Sequence, residues 1–288
     1  MLGKEDQAQQ SIGKSPREGN VAGFDTSSRK EFYEYYARQS EDTRTLERFT
    51  SIRDTLLRAL DADRTGSVLE VIDVGCGAGS QARLWTAAGH RYLGIDINEP
   101  LITLARQRAA AQGTRARFDI GTASALPCDD SSFDVCTIPE LLEHIVDWKA
   151  CLDEAARVLR PGGLLYVSTT NRLCPIQNEF NLPAYSLYPQ RLKRYFERRA
   201  ATDWPALANY ATYPAVHWFT FRDLQSFLAS KGFISLDRFD LLDTRGRSRL
   251  NGALIAATKR IPLLRWLGHA MTPYTVVVGK KIRRDARR

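Results

Sequence analysis

"VIDVGCGAGS", residues 71–80, places an apolar run that closes on an acid, Asp73, directly before three glycines in five positions. The run reads as a buried strand, and the glycines as the turn that follows it. Such a turn has almost no side-chain bulk, so a ligand can lie against bare backbone amides. Spacing excludes two common occupants. A dinucleotide fingerprint needs G-x-G-x-x-G, whose third glycine lets the helix pack closely, but Gly75, Gly77 and Gly79 are followed by Ser80. A P-loop needs Gly-Lys-Ser/Thr after the turn, and the "GKS" at 13–15 has neither strand nor glycine turn before it. A carboxylate at Asp73 suits a cationic ligand better than a phosphate. Asp96, which ends the next apolar run, stands where an acid accepts both hydrogen bonds of a ribose diol. An adenosine whose other end is a charged amino acid meets both requirements.

Outward from this turn, strand and helix patterns alternate. "VLEVIDV" is followed by the helix "SQARLWTAAG", "RYLGIDI" by "EPLITLARQRAAAQG", then "RARFDI" and "FDVCTI", the helix "DWKACLDEAARVLRPGG" with its Pro-Gly-Gly stop, and "LLYVSTT". This alternation predicts a doubly wound α/β sheet with its ligands beyond the carboxyl ends of the strands. Upstream, residues 28–60 space their apolar positions three and four apart (Phe32, Tyr35, Tyr36; Leu46, Phe49, Ile52, Leu56), which predicts two helices. Downstream, 171–216 is a long proline- and aromatic-rich insert before the helix "TFRDLQSFLASKG", the strand "FISLDRFDLL", the basic segment "GALIAATKRIPLLRWLGHAM" and the last strand "YTVVVGKK".

The linked stretches "VIDVGCGAGS…GIDI…FDVCTI…VLRPGG" resemble the class I S-adenosylmethionine-dependent methyltransferases, of the methyltransferase type 11 and ubiquinone-biosynthesis kind, over residues 68–170. The resemblance implies a Rossmann-like sheet of seven strands with an antiparallel last strand, an N-terminal helical lid and a long insert after the fifth strand. The chain then divides into a disordered leader (1–22), the lid (23–66, with "EFYEYYARQ" over the cofactor) and the methyltransferase domain (67–288), which carries the insert 171–216 and a basic amphipathic segment 246–271. The implied cofactor is S-adenosyl-L-methionine. Asp73, Gly75, Cys76 and Gly77 are expected at its methionine part, Asp96 and Ile97 at ribose and adenine, and Ile138 or Pro139 on its far side. The family often has an acid where Thr122 stands, so the adenine is expected to rest on Ala123 and apolar packing. Cys76 has no paired base and reads as packing, not as a nucleophile.

The acceptor side is read from "PELLEHIVDW", which follows the fourth strand. Glu140, Glu143 and His144 form E-x-x-E-H. Two carboxylates and an imidazole can hold a divalent metal, or His144, with Glu143 beside it, can act as general base, since imidazole titrates near neutrality. The pattern resembles the quinone-biosynthesis O-methyltransferases, which implies a magnesium ion on Glu140, Glu143 and His144. It also resembles small-RNA 2′-O-methyltransferases, where His217 would fall at a fourth ligand.

Composition narrows the partners. The net charge of +8 admits nucleic acid, an anionic membrane or an anionic substrate. "YPQRLKRYFERRAATDWPAL", with Arg191, Lys193, Arg194, Arg198 and Arg199, and "ATKRIPLLRWLGHAM" mix cations with large apolar residues. This mixture suits an anionic membrane surface or a lipid-linked acceptor more than RNA, because Ile261, Leu263, Leu264, Trp266 and Leu267 exceed what phosphate binding needs. Five cysteines without a CxxC pair argue against a disulfide framework, and the polar first twenty residues against a signal peptide. The expected setting is cytoplasmic, peripheral at the inner face of the membrane. The expected reaction is O-methylation of a small or lipid-linked acceptor, either a quinone-precursor phenol or a sugar or glycolipid hydroxyl. The alternatives are an RNA 2′-O-methyltransferase and a non-catalytic binding module on the same scaffold.

Overall fold

The computed structural model describes residues 37–38, 40–61, 64–208, 215–242 and 248–283. The expected leader and most of the tyrosine-rich lid segment lie outside them. Helix α1 (Thr43–Ala59) precedes β1 (Glu70–Val74), α2 (Ala82–Ala87), β2 (Arg91–Asp96), α3 (Glu99–Ala111), β3 (Arg117–Ile120) and β4 (Phe133–Pro139). A 3₁₀ turn at Leu142–His144 leads to α4 (Trp148–Val158) and β5 (Leu159–Thr170). The insert holds α5 (Gln190–Ala201), and the chain continues through α6 (Phe221–Ser230), β6 (Phe233–Asp237), α7 (Arg249–Arg260), α8 (Pro262–Ala270) and β7 (Tyr274–Lys281).

The seven strands run in the order β3-β2-β1-β4-β5-β7-β6, with β7 antiparallel to both neighbours, as expected. Parallel strands have both faces covered, so β1 and β4 are almost wholly buried and read as continuous apolar runs. Alternation along the strands splits the core in two. Ile72, Cys136, Leu152, Val167 and Leu224 meet on one face. Val71, Trp85, Ile102, Val135 and Tyr166 meet on the other, covered by Phe49, Ile52 and Leu56 of α1. Strand order reverses between β1 and β4, which is where a doubly wound sheet opens its ligand crevice.

Two expected boundaries move. The Pro-Gly-Gly after α4 does not stop a helix before a gap, because β5 begins at Leu159 and contains it. Phe133 pairs with Leu159 and Val135 already with Leu164, so the extra residues form a bulge. Gly162 takes φ +78°, and a Cβ on Gly163 would come within 2.9 Å of the Arg160 carbonyl oxygen. Strand β6 ends at Asp237, short of the expected stretch, because its carboxylate accepts the N–H groups of Phe239 (2.8 Å) and Asp240 (3.0 Å) and turns the chain.

The insert has a small core of its own, in which Phe180, Tyr185, Leu207 and Trp218 are buried. The Phe180 and Tyr185 rings stack at 4.0 Å. Lys193, expected on the cationic surface, is buried here. Its ammonium donates to the Ser186 carbonyl (2.7 Å) and lies 4.7 Å from the Trp218 ring centroid.

Candidate active site

The glycine turn sits at the carboxyl end of β1. The N–H groups of Gly75 and Cys76 both donate to the Ile95 carbonyl (2.8 and 3.1 Å), which folds the turn over the end of β2. Gly75, Gly77 and Gly79 take φ of +76°, +52° and +80°, the left-handed region that favours glycine. Their surroundings differ. A Cβ at Gly79 would press on the Phe118 ring at 2.9 Å, whereas a Cβ at Gly77 would meet nothing within 4 Å. Gly79 is therefore glycine for packing, and Gly77 borders open space.

Asp96 faces that space. Its Oδ2 accepts the Gly77 N–H (2.8 Å) and its Oδ1 the Asn98 N–H (2.9 Å), which leaves further lone pairs on both oxygens for a diol. Partial burial raises its pKa, opposed by these backbone donors. The Asp96 carbonyl accepts the Gly121 N–H (3.1 Å), so the loop bearing Thr122 and Ala123 is tied beside the acid. Thr122 Oγ1 lies 3.1 Å from Ser124 Oγ, and Ala123 is partly buried against the core. Ile97 is half-buried just beyond β2.

Three residues expected to touch the cofactor are placed differently. Asp73 is only 2% exposed. Its carboxylate accepts Gln81 Nε2 (2.7 Å), the Thr137 hydroxyl (2.8 Å) and the Tyr92 hydroxyl (2.6 Å), so it ties β1 to β2, β4 and the segment entering α2 and does not face the cleft. Burial lifts its pKa to about 6. The Cys76 thiol is buried, with its pKa raised by that burial, and it packs where a side chain on Gly94 would stand. Ile138 is wholly buried in the core, and the half-buried Pro139 is the residue that reaches the crevice edge.

On the acceptor side, Glu140 leaves β4 with φ +51°, its N–H held by the Ser168 carbonyl (2.8 Å). Its carboxylate pairs with the Arg48 guanidinium of α1. Glu143 lies wholly buried on the 3₁₀ turn. Oε2 accepts the Thr169 hydroxyl (2.8 Å), Oε1 has no partner, and burial pushes the pKa up to about 8. The Glu143 carbonyl accepts the N–H groups of Val216 (3.0 Å) and His217 (3.2 Å), which fastens the end of the insert to this turn. His144 is half-buried next to it.

The trio expected to hold magnesium is not assembled as a ligand set. Among the described residues no three His, Cys, Asp or Glu side chains are placed to hold a metal ion. Glu140 is committed to Arg48, and Glu143 is turned into the core with its Oε2 held by the Thr169 hydroxyl. His217 lies with its Nε2 3.1 Å from the Val146 carbonyl oxygen. Spacing gave no sign of Arg48, Glu179 or Tyr274. Glu179 of the insert has its pKa raised by burial and then by Glu143. The Tyr274 hydroxyl is lifted to about 12 by burial, then by Glu140 and Glu179. No pattern in the sequence joins these segments.

Residues 72–167 match the family model described as "Methyltransferase domain". The chain is similar to ubiquinone biosynthesis O-methyltransferases, at 33% identity over 138 residues to that of Sinorhizobium medicae (45% of this chain, 56% of the relative). To that of Coxiella burnetii it is 32% identical over 121 residues (42% of this chain, 52% of the relative). These matches span about half the length of the relatives. In fold, the chain is similar to an S-adenosylmethionine-dependent methyltransferase of Mesorhizobium loti (TM-score 0.53, 20% identity, 80% of this chain and 98% of that one). It is also similar to a protein of Pyrococcus horikoshii (TM-score 0.55, 16% identity, 88% and 99%). Residues 72–167 thus match a methyltransferase domain, and they lie within a Rossmann-like seven-stranded sheet.

Proposed function

We propose that this protein transfers a methyl group from S-adenosyl-L-methionine to an oxygen of a small or lipid-linked acceptor. The observation that carries this reading is the pair of segments that meet at the strand-order reversal, where a doubly wound sheet takes its ligand. Open backbone at Gly77 and the Asp96 carboxylate stand on one flank, and the Glu140–His144 turn on the other. When bound, the cofactor supplies a methyl already activated on a sulfonium, so the protein's main work is alignment. Gly77 offers main-chain surface, and Asp96 holds the ribose hydroxyls. Ala123 and Ile97 border the adenine, and Pro139 closes the far side.

An acceptor hydroxyl must lose its proton as the oxygen attacks. His144, half-buried at the crevice, takes that proton at an imidazole nitrogen. Glu143 lies beneath the surface and acts as a positioning residue: through Thr169 and the backbone of 216–217 it fixes the turn that aims His144. The ubiquinone relatives favour a phenol of a quinone precursor as acceptor, with a sugar or glycolipid hydroxyl as the second class. Cell extract incubated with isotope-labelled cofactor tests the reading by mass spectrometry. Label is expected on an oxygen of one of these classes, and label on nitrogen or carbon, or on RNA, overturns it.

A further inference from the structure

Helices α7 and α8 form a hairpin between β6 and β7 that the methyltransferase site does not use. No side chain described in either helix is fully buried. Sixteen large apolar side chains are exposed among the described residues, and six of them fall between 254 and 271. Leu263, Trp266 and Met271 are 64, 53 and 76% exposed. Between Ser248 and Met271 the chain has no Asp or Glu, and Lys259 and Arg260 stand at the elbow between the helices.

This greasy face is rigidly mounted. Arg265 turns inward, its Nε donating to Asp237 Oδ2 (2.7 Å) and its other arm pairing with Asp240 (2.5 Å). His269 Nε2 lies 2.8 Å from the same Asp237 oxygen, with its ring between Phe221 and Phe239. Gly268 has no side chain, so the Phe239 ring occupies the place a Cβ would take. Asn171 Nδ2 donates to the His269 and Thr272 carbonyls (2.7 Å each). Asn171 directly follows β5, so the base of the hairpin is tied to the same sheet edge that carries Ser168 and Thr169 to the acceptor turn. One side of α8 is thus clamped by polar bonds, while Leu263, Trp266 and Leu267 stay exposed and Lys259 and Arg260 sit at the end of α7 beside it.

We propose that the α7–α8 hairpin docks on an anionic lipid bilayer, with Leu263, Trp266 and Leu267 at the acyl boundary and Lys259 and Arg260 on the lipid phosphates. An amphipathic cationic helix face carrying Trp and Leu binds in this way. No helix among the described residues is long and apolar enough to cross a membrane, so the contact is interfacial. A second copy is a poorer occupant, because it would bring Lys259 and Arg260 of both chains together with no acid in the segment to oppose them. The inference goes beyond the methyl-transfer reading and does not depend on it.

Co-sedimentation of the full chain with vesicles tests it. Binding is expected to phosphatidylcholine vesicles that contain phosphatidylglycerol, and not to phosphatidylcholine alone. Replacing both Lys259 and Arg260 by Gln should weaken it about thirtyfold, at about fivefold per cation near the surface. The double variant Leu263→Glu, Trp266→Glu should abolish binding. Both sites are exposed, so its circular dichroism and S-adenosylmethionine affinity should stay at the parent values. Brominated acyl chains should quench a fluorescence component that Trp266→Phe lacks. Equal binding to neutral and anionic vesicles, or binding that survives the double variant, overturns the proposal. A dimer in vesicle-free solution that the double variant converts to monomer overturns it as well, because the face would then be a self-interface.

Discussion

The two flanks of the crevice are built on different plans. The cofactor flank is local: Gly75, Gly77 and Gly79 lie within one turn, and Asp96 reaches it across a single pair of adjacent strands. The acceptor flank gathers Arg48 from α1, Glu140 and Glu143 from the segment after β4, Thr169 from β5, Glu179 from the insert and Tyr274 from β7. The first flank is held by backbone geometry, and the second by side chains brought from distant segments, with Glu143 and Thr169 buried among them. A flank of the first kind tolerates little change in its few residues. The second should respond more to pH and to substitution at single carboxyls.

The largest expected effect tests the local plan at its center. Asp96→Ala removes a carboxylate that faces the open backbone and holds the Gly77 and Asn98 amides. Hydrogen bonds to a charged group contribute about 1.5 to 3 kcal/mol each, so losing two to a ribose diol should weaken S-adenosylmethionine binding by about a hundredfold or more in calorimetric titration. Unchanged affinity would remove Asp96 from the cofactor site.

The glycines sharpen the same flank. Gly79→Ala meets the Phe118 ring at 2.9 Å as well as the cost of φ +80°, and should destabilise by about 2 to 3 kcal/mol in denaturant unfolding. Gly77→Ala faces only open space, so its cost should stay near 1 kcal/mol while cofactor affinity falls steeply. If both variants lost stability alike and bound alike, the distinction between a packing glycine and a ligand-facing one would fail.

For the acceptor flank, the buried carboxyl gives a pH signature. Glu143 titrates near 4.5 when unfolded and near 8 when folded, so the folded state holds a proton that the unfolded chain releases between these values. Stability therefore falls as pH rises across that window and levels off above it. Gln at this position keeps the shape without the ionisation. Glu143→Gln should match the parent in thermal unfolding below about pH 4.5 and melt several degrees higher near pH 9. A constant difference at all pH values would show that Glu143 is not the titrating group.

How much of this was legible follows the same division. The strand, the glycine turn and Asp96 are set by residues adjacent in sequence or one strand apart, so spacing alone located them. Asp73 was located, but its partners were not: Tyr92 and Thr137 come from neighbouring strands, and their hydroxyls, with the Gln81 amide, make the acid a buried tie. Pro-Gly-Gly carries the same local signal whether it ends a helix or bulges a strand, and the pairing with Phe133 and Val135 decides. E-x-x-E-H picks out the turn after β4, yet nothing local says that Glu143 points inward to Thr169 and Glu140 outward to Arg48. Arg48, Glu179 and Tyr274 reach the site by chain reversals that no period or motif encodes.

The smallest expected effect concerns Arg48 and Glu140, the bond that joins α1 to the acceptor turn. Both side chains are substantially exposed, at 42 and 32%, and exposed ion pairs contribute about 0.2 to 1 kcal/mol. The strained φ of Glu140 is held by its N–H to Ser168, and α1 is held by Phe49, Ile52 and Leu56, so neither needs the pair. Arg48→Ala should therefore lower unfolding stability by less than about 1 kcal/mol, and by less still in high salt. A loss well above that in a double-mutant cycle with Glu140→Gln would mean that the acceptor flank depends on its surface pair more than on the buried carboxyl beneath it.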